Sequence, residues 1–578
     1  MRGWVRSQDE FTFFTAAYKP VLAALGIAKA ALLLTVLGQC FWISGLVYIS
    51  RGLFRDGRVV FLAVAMATVL PAGMFFNYGE QFLTPRIFAE AITLWSLGSM
   101  LRGRSFRALL LLSLSAAIHP LMTLPGFAVL FVYEAAGRRS LWALGAVAVI
   151  VSLGLASTGV QPFARLFESF DPAWFAVVRV RDFFCLLTQW TVFEWLRTCN
   201  IFVLAALGLT VAEPRERRFL TAVFAVAFGG LVVTLIGGDL FRNVLIVDAQ
   251  QYRATWLLAL VANVFVGPLL LRIRWNITSS LTRAAMAFGV GMLVVTTFIG
   301  AGYFIAVPML AVAGLVANWE QDRRRPIPDV ANVLGLIVMG LAFGSTLVAL
   351  YSYMVWIEAR PSLFWQTTRG LGLTVVALGA VAVYVISYPD MRVKVAWPMM
   401  VFAAGLTAMA ALGWDQRMPW TEFVETGGAV PESLTSLLTD KGQVYWEGDV
   451  RVPWFILNRP SYFSCPQGTG ALFFRGTAIN YEHRYESFKR LQTLDFGQEG
   501  SCPREENAET AAVNLEGLAS ICKSEPDLGT VVLTHAVANA PERVWVSPVK
   551  FEDFRLVGGK LRLFTTDRFF IYSCSAFR

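Results

Sequence analysis

Apolar segments of bilayer-spanning length recur along this chain from about residue 21 to about residue 414. A transmembrane helix needs roughly 20 mostly apolar residues, and a chain with many such segments exceeds what a water-soluble core accommodates. The composition agrees, because 56% of the 578 residues are hydrophobic, only 15% are charged and the mean hydropathy is +0.57. The sequence therefore predicts an α-helical polytopic membrane protein.

Hydropathy predicts about 13–14 transmembrane helices within residues 21–414. The predicted spans are 22–50, 59–76, 86–101, 108–119, 121–135, 140–160, 198–212, 219–238, 254–271, 284–300, 303–318, 331–357, 371–388 and 396–414. The fourth and fifth spans form either one helix kinked at its prolines or two helices. Basic residues at both flanks of 108–135 favour two helices that cross and return, with His119 near the far face.

Basic residues orient the predicted spans. Nineteen Lys and Arg residues fall in seven connections, which the positive-inside rule places in the cytoplasm. These connections are 51–58, 102–107, 138–139, 213–218, 272–283, 319–330 and 389–395. A polar segment, 1–20, and a loop with interfacial helices, 161–198, then face outside, and a bacterial inner membrane is the predicted location.

The chain changes character after Trp414, where a charged tail without a further span begins. Stretches such as "GQVYWEG", "GTVVLTHAV", "RVWVSP" and "KLRLFTT", with a helical stretch near 508–521, predict an extracytoplasmic α/β or α+β domain over 415–578. The tail carries 21 acidic and 17 basic residues, against 19 and 32 in the membrane part. The net charge of +9 therefore arises in the membrane part and does not indicate a nucleic-acid partner.

Cysteines and aromatic residues of the tail each allow two interpretations. Cys465, Cys502, Cys522 and Cys574 permit two disulfides in any of three connectivities, while metal binding is the alternative, without a paired CxxC. The segment 445–478 is dense in Trp, Tyr, Phe, Arg and Asn. Such residues suit carbohydrate binding, and a buried aromatic core is the alternative.

Most carboxylates of the membrane part fall on the predicted outer side. Ionisable groups at membrane depth are costly unless they are paired or face a wet cavity, so the cluster marks a candidate site. The alternative is that each carboxylate solvates a loop or neutralises a nearby arginine. The outer carboxylates are Asp9, Glu10, Glu80, Glu90, Glu168, Asp171, Asp182, Glu194, Asp239, Asp248 and Glu358.

Several cationic and polar residues accompany these acids at predicted outer helix ends. Arg86 opens a helix after Pro85, and Glu90, four residues on, can pair with it, a contact that is also explained as structural. Gln250 and Arg253 precede an inward-going helix, where a guanidinium can hold a lipid phosphate. Arg360 and Arg369 flank another outer loop. Arginines that snorkel to ordinary lipid phosphates are the alternative.

This arrangement resembles the C-type glycosyltransferase superfamily, whose multi-pass members use polyprenyl-phosphate-linked sugars at the outer membrane face. The likeness lies in the helix number, the acidic first outer loop, the interfacial helices, the outer arginines and the C-terminal domain. It implies that Asp9 or Glu10 in "SQDEFTFF" supplies a carboxylate used as base or metal ligand. In the family a helix precedes that loop, whereas none precedes it in this sequence.

The predicted reaction is transfer of a sugar from a polyprenyl-phosphate-linked donor to a glycan, lipid or protein acceptor. Asp9, Glu10 or Glu80 would deprotonate the acceptor, His119 is a second candidate base or a packing residue, and arginines would stabilise the phosphate. A divalent cation is a candidate cofactor. A secondary transporter, a flippase and a non-catalytic envelope assembly factor are the alternatives.

Overall fold

The structure is a computed structural model in which the chain divides into two units. The described residues of the first, the helical unit, are 12–69, 78–80, 82–169 and 184–272. Those of the second, the mixed unit, are 170–183, 415, 417–426, 432–489, 493, 513–557 and 560–578.

Successive apolar stretches form the helices of the helical unit, and short polar or glycine-containing turns separate them. The helices are α1 (Phe14–Leu53), α2 (Gly57–Val69), α3 (Pro85–Met100), α4 (Ser105–Ile118), α5 (Pro120–Ala135), α6 (Arg139–Ser157), α8 (Val192–Val211), α9 (Pro214–Val233), α10 (Val244–Ala249) and α11 (Ala254–Arg272), and α7 (Pro172–Arg181) belongs to the mixed unit. A π-helical segment, Thr234–Leu240, extends α9. Each of the first nine predicted spans overlaps a helix; residues 70–76 of the second span and the five spans from 284 onward lie outside the described residues.

Five helices of the described chain are long and apolar enough to cross a membrane: Phe14–Leu53, Arg139–Ser157, Glu194–Val211, Pro214–Leu240 and Val244–Leu269. Their burial differs widely. In the most apolar 18-residue window of each helix, 94% of the window in Val244–Leu269 is buried, but only 6% of the window in Arg139–Ser157. The last helix is therefore central in the unit, while α6 presents an almost wholly apolar surface of the kind that faces lipid.

The helices alternate in direction, so the connections collect at two ends. Gly45 of α1 packs so closely on α3 that a Cβ would lie 3.0 Å from the Ala91 carbonyl oxygen, a close approach typical of small residues in membrane helices. Arg102 donates to the Tyr48 carbonyl and Arg218 to the Tyr133 carbonyl, so the ends of α3 and α1 are joined in one pair and those of α9 and α5 in another. The basic connections therefore gather at one end, here called the arginine end. Its arginines are Arg51, Arg55, Arg58, Arg102, Arg104, Arg107, Arg138, Arg139, Arg215, Arg217 and Arg218.

Helix α1 begins earlier than the predicted span and bends sharply. Gly26 has φ 71° and ψ 172°, which breaks the helical conformation. Phe14 lies 6.2 Å from the Phe88 ring, and Gly38 also packs on Phe88. A straight helix would separate residues 14 and 38 by about 36 Å, so the two halves of α1 fold back toward each other at Gly26.

Helices α4 and α5 form the antiparallel pair that the basic flanks predicted. The chain turns at His119, which is extended (φ −153°, ψ 92°), and Pro120 starts α5. The Ser115 hydroxyl lies 2.6 Å from the Thr123 hydroxyl and donates to the Ala89 carbonyl. The single kinked helix is therefore excluded, and His119 lies at the end opposite to the arginine end.

The mixed unit contains a four-stranded sheet and short helices. Its strands are β1 (Gln443–Trp446), β2 (Leu528–Leu533), β3 (Arg543–Val557) and β4 (Lys560–Ser573), in the order β1-β2-β4-β3, with β1 and β2 parallel and the other pairs antiparallel. Its helices are α12 (Pro419–Thr426), α13 (Glu432–Thr435), α14 (Arg475–Lys489) and α15 (Leu515–Ser524), besides α7. All four predicted strand stretches are strands, and the helix predicted near 508–521 is observed at Leu515–Ser524.

Aromatic residues of the tail mostly form its core. Trp420, Trp446 and Trp545 are at most 2% exposed and pack around Phe569. Burial of such large rings is a major stabilising term in a small domain. Of these rings only Trp446 lies in the segment 445–478, and its burial follows the core interpretation rather than the carbohydrate-binding one.

A disulfide joins Cys522 to Cys574 across 52 residues. Cys465 is disulfide-bonded as well, and Cys502 lies outside the described residues.

Candidate functional site

Several helices of the helical unit begin at the end opposite to the arginine end, and three of them start at a basic residue. These three are α3, α5 and α11. Arg86 is the second residue of α3, His119 is the N-cap of α5, and Arg253 immediately precedes α11. We call these residues, together with Glu80, Glu90 and Gln250, the polar cluster.

Glu80 is the most constrained acid of this cluster. Its carboxylate is buried, with Oε1 2.8 Å from Nη2 of Arg86 and Oε2 accepting a 2.6 Å hydrogen bond from Thr84. The Gln39 side chain of α1 donates to the Glu80 backbone carbonyl at 2.6 Å. Both the carboxylate and the backbone of Glu80 are therefore fixed.

Glu90 does not make the ion pair with Arg86 that the four-residue spacing predicted. Its Oε2 accepts hydrogen bonds from Trp42 Nε1 at 3.0 Å and from the Gly79 amide at 2.8 Å. The side chain is fully buried, and Oε1 has no hydrogen-bond partner among the described residues. The prediction was wrong because loop residues 78–80 fold back over α3, which brings Glu80 to Arg86 and an amide donor to Glu90.

His119, Gln250 and Arg253 meet across α5 and α11. The His119 Nδ1 accepts from the Met122 amide at 3.3 Å, and Nη1 of Arg253 lies 3.8 Å from the Met122 sulfur. Arg253 Nε donates to Oε1 of Gln250, whose left-handed backbone (φ 48°) ends α10. Gln250 therefore orients Arg253.

The basic side chains are close enough for their charges to interact. The charge of Arg253 acts on both Arg86 and His119, and the charges of Glu80 and Glu90 act on Arg86. A positive charge at a helix N-terminus opposes the helix dipole, and two neighbouring guanidiniums repel each other. An anion placed beside them would relieve both effects, so the arrangement has the chemistry of an anion-binding site.

Other acids at the same end have structural contacts. Asp239 accepts from the Leu187 and Thr188 amides at 3.0 and 2.9 Å, and Glu194 closes a capping box with Thr191 at the start of α8. Asp248 pairs with Arg165 at 2.5 Å. For these three acids the contacts match the alternative that each fixes a loop or neutralises an arginine.

Sequence reasoning missed the residues that support the cluster from neighbouring helices. Gln39 and Trp42 on α1 hold the 78–80 loop and Glu90, and Asn263 of α11 donates to the Tyr78 hydroxyl at 2.7 Å. The available signal was a polar residue inside an apolar span, "VLGQCFW" for Gln39 and "LVANVFV" for Asn263.

Four of the predicted site residues, Asp9, Glu10, Arg360 and Arg369, lie outside the described residues. Within the described chain no group of three or more His, Cys, Asp or Glu side chains is placed to hold a metal. Both Glu80 oxygens already have partners. The described residues therefore do not fit the divalent cation that was predicted as a candidate cofactor.

Comparison with known proteins adds no relative: no family model, curated protein or solved structure matches this chain.

Proposed function

We propose that this protein transfers a sugar from a polyprenyl-phosphate-linked donor to a glycan, lipid or protein acceptor at the outer face of a bacterial inner membrane. The observation that carries the proposal is the ion pair of Arg86 with buried Glu80 at the start of α3, within range of the charge of Arg253 at the start of α11. A lipid-linked phosphate is an anion that reaches this depth without leaving the membrane.

Arg86 and Arg253 would bind the donor phosphate. A guanidinium has five N–H donors in a planar fork, so Arg86 can serve Glu80 and a phosphate together. As the bond between the anomeric carbon and the phosphate oxygen breaks, that oxygen takes the electron pair. Both arginines would stabilise the resulting negative charge.

Glu80 would act as the general base. It would accept the proton of the acceptor hydroxyl while that oxygen forms the new bond to the anomeric carbon. Binding of the phosphate draws Arg86 partly away from Glu80, which makes the carboxylate a stronger base. The acceptor proton is thus removed only when the donor is in place.

The disulfide between Cys522 and Cys574 supports an extracytoplasmic mixed unit, because disulfides persist in oxidising compartments. The gathering of arginines at the opposite end of the helical unit supports a cytoplasmic location for that end.

The test is transfer of labelled sugar from a panel of polyprenyl-phosphate-linked hexoses and pentoses by protein purified in nanodiscs. We expect Glu80→Gln and Arg253→Ala to lower the rate about 10²-fold or more. Two matched controls change exposed residues at the same end of the unit, Glu168→Gln and Arg242→Asn, the latter because Asn tolerates the φ of 51° at that position.

Controls that lose activity together with the cluster variants would contradict the roles of Glu80 and Arg253. Failure of the wild-type protein to transfer any donor sugar, combined with movement of the lipid-linked sugar across vesicle membranes, would replace the proposal by a flippase or transporter.

A further inference from the structure

Segment 170–183 interrupts the helical unit in sequence but packs within the mixed unit. It contains α7, whose Trp174 Nε1 donates to the Ala471 carbonyl at 2.8 Å. Trp174, Val177 and Val178 are buried along one face of α7. The position of segment 170–183, here called the strap, therefore depends on this contact.

Each end of α7 carries an aspartate in a different setting. Asp171 is the N-cap, with Oδ1 accepting from the Trp174 amide at 3.2 Å and Oδ2 2.6 Å from Nε of Arg475. Asp182 is the C-cap and is only 5% exposed. A negative charge is favoured at a helix N-terminus and disfavoured at a C-terminus, so the two acids have opposite preferences.

The charge of Asp182 is compensated only in part, because Arg181 acts on it while one of its carboxylate oxygens has no hydrogen bond within the described chain. Its Oδ2, the Nε of Arg181 and the Thr477 hydroxyl have no hydrogen-bond partner among the described residues. Tyr481, one turn after Thr477 on α14, is electrostatically coupled to both Arg181 and Asp182. Arg181 and Tyr481 approach each other over Gly468, where a Cβ would lie 3.0 Å from Arg181 Nε.

We propose that segment 170–183 is a pH-responsive strap, docked most tightly when Asp182 is protonated and held more loosely once Asp182 ionises. The burial of Asp182 and its place at the C-terminus of α7, which packs on α14, carry this inference, which does not depend on the proposed function. The charged and titratable groups that act on Asp182 are Arg181 on its own element and Tyr481 on α14.

Burial raises the pKa of Asp182 from 3.8 to about 7, and the charge of Arg181 offsets only part of this effect. Burial also raises the pKa of Tyr481, so that hydroxyl stays neutral. Because the docked form holds its proton more tightly than the free segment, docking is fully stabilised below about pH 4. This contribution decreases as the pH rises toward about 7. Above that pH it is fully lost, and Asp182 no longer changes the stability of docking.

Asp171 acts in the opposite direction. The hydrogen bond from Arg475 holds the pKa of Asp171 below its ordinary range. Its contribution is therefore present above about pH 4 and is lost only as the pH falls further. Between about pH 4 and 7, Asp182 alone sets the pH dependence among these two acids.

The test is hydrogen–deuterium exchange of residues 172–181 in the full-length protein in nanodiscs, with exchange times corrected for the intrinsic effect of pH. We expect protection to fall by up to about tenfold per pH unit between roughly pH 5 and 7, the limit for one proton, and to level off above that. Asp182→Asn, a neutral isostere, should remain protected throughout.

Asp171→Asn should lower protection at every pH in this range but keep the slope, and Glu168→Gln, outside the strap, should leave both unchanged. A flat wild-type profile, or the same slope in Asp182→Asn, would overturn the proposal. If Asp182→Asn does not fold, Asp182→Ser replaces it. The wild-type profile is sufficient without either variant, because protection that does not change with pH would contradict the proposal.

Discussion

The guanidinium of Arg86 lies 2.8 Å from the carboxylate of Glu80, six residues earlier in the chain, although Glu90 is one helical turn away. Only 4% of the Glu80 side chain and 19% of the Arg86 side chain are exposed. The pair therefore joins the 78–80 loop to the first turn of α3 in a setting with little water.

Arg86→Met should destabilise the helical unit by about 3–5 kcal/mol, because it leaves the Glu80 carboxylate buried without its counter-charge. The double change Arg86→Met and Glu80→Leu should recover much of that loss, since it removes both charges together. Equilibrium unfolding in mixed micelles measures the free energy of unfolding for each variant. Strictly additive single effects would show that the two side chains are not coupled.

Gly79→Ala should destabilise the protein by about 1–3 kcal/mol through backbone strain and a clash. Gly79 has φ 61°, and a Cβ there would lie 3.0 Å from the Trp42 ring. The matched control is Gly154→Ala in α6, where nothing lies within 4 Å and Ala is the better helix former. Thermal unfolding of the two variants provides the comparison, and equal effects would contradict the strain at Gly79.

Loss of the disulfide by Cys522→Ser with Cys574→Ser should cost about 2–5 kcal/mol in the mixed unit. Cys40→Ser with Cys199→Ser, at two exposed free thiols, should be close to neutral. The free energy of unfolding, measured on each purified double variant, distinguishes the two outcomes. In the wild-type protein, Cys522 and Cys574 should react with maleimide after denaturation only if a reductant is present, and ready labelling without reductant would contradict the bond.

Cysteines placed at Arg55 and Arg104 should be labelled from one side of the membrane, and cysteines at Glu168 and Arg242 from the other. All four residues are exposed and belong to the helical unit, the first two at the arginine end. Cys40, Cys185 and Cys199 are replaced first to remove background thiols. A membrane-impermeant thiol reagent applied to sealed, oriented vesicles tests this prediction. Labelling of all four cysteines from one side would contradict the alternating direction of the helices.

The amino-acid sequence by itself determined the long apolar helices α1 to α6, α8, α9 and α11 and the strands β1 to β4, but not the short helix α10 or the tail helices α12 to α14. Each apolar stretch must satisfy its backbone hydrogen bonds locally in a membrane, so hydropathy alone locates the helix. The pair α4 and α5 followed from charge at its two flanks, because translocation of arginine is costly. In the tail, β-branched and aromatic runs located β1 to β4 since those side chains suit a pleated surface.

Only the tertiary structure decided which side chains meet. Helical spacing favoured Glu90 as the partner of Arg86, but the loop preceding α3 supplied Glu80 instead, and Trp42 from α1 took Glu90. Segment 170–183 looked like part of an outer membrane loop, yet it packs within the mixed unit. Local periodicity describes one helix at a time, whereas these contacts join a helix to the loop before it, to another helix or to a distant part of the chain, and only packing brings such pairs together.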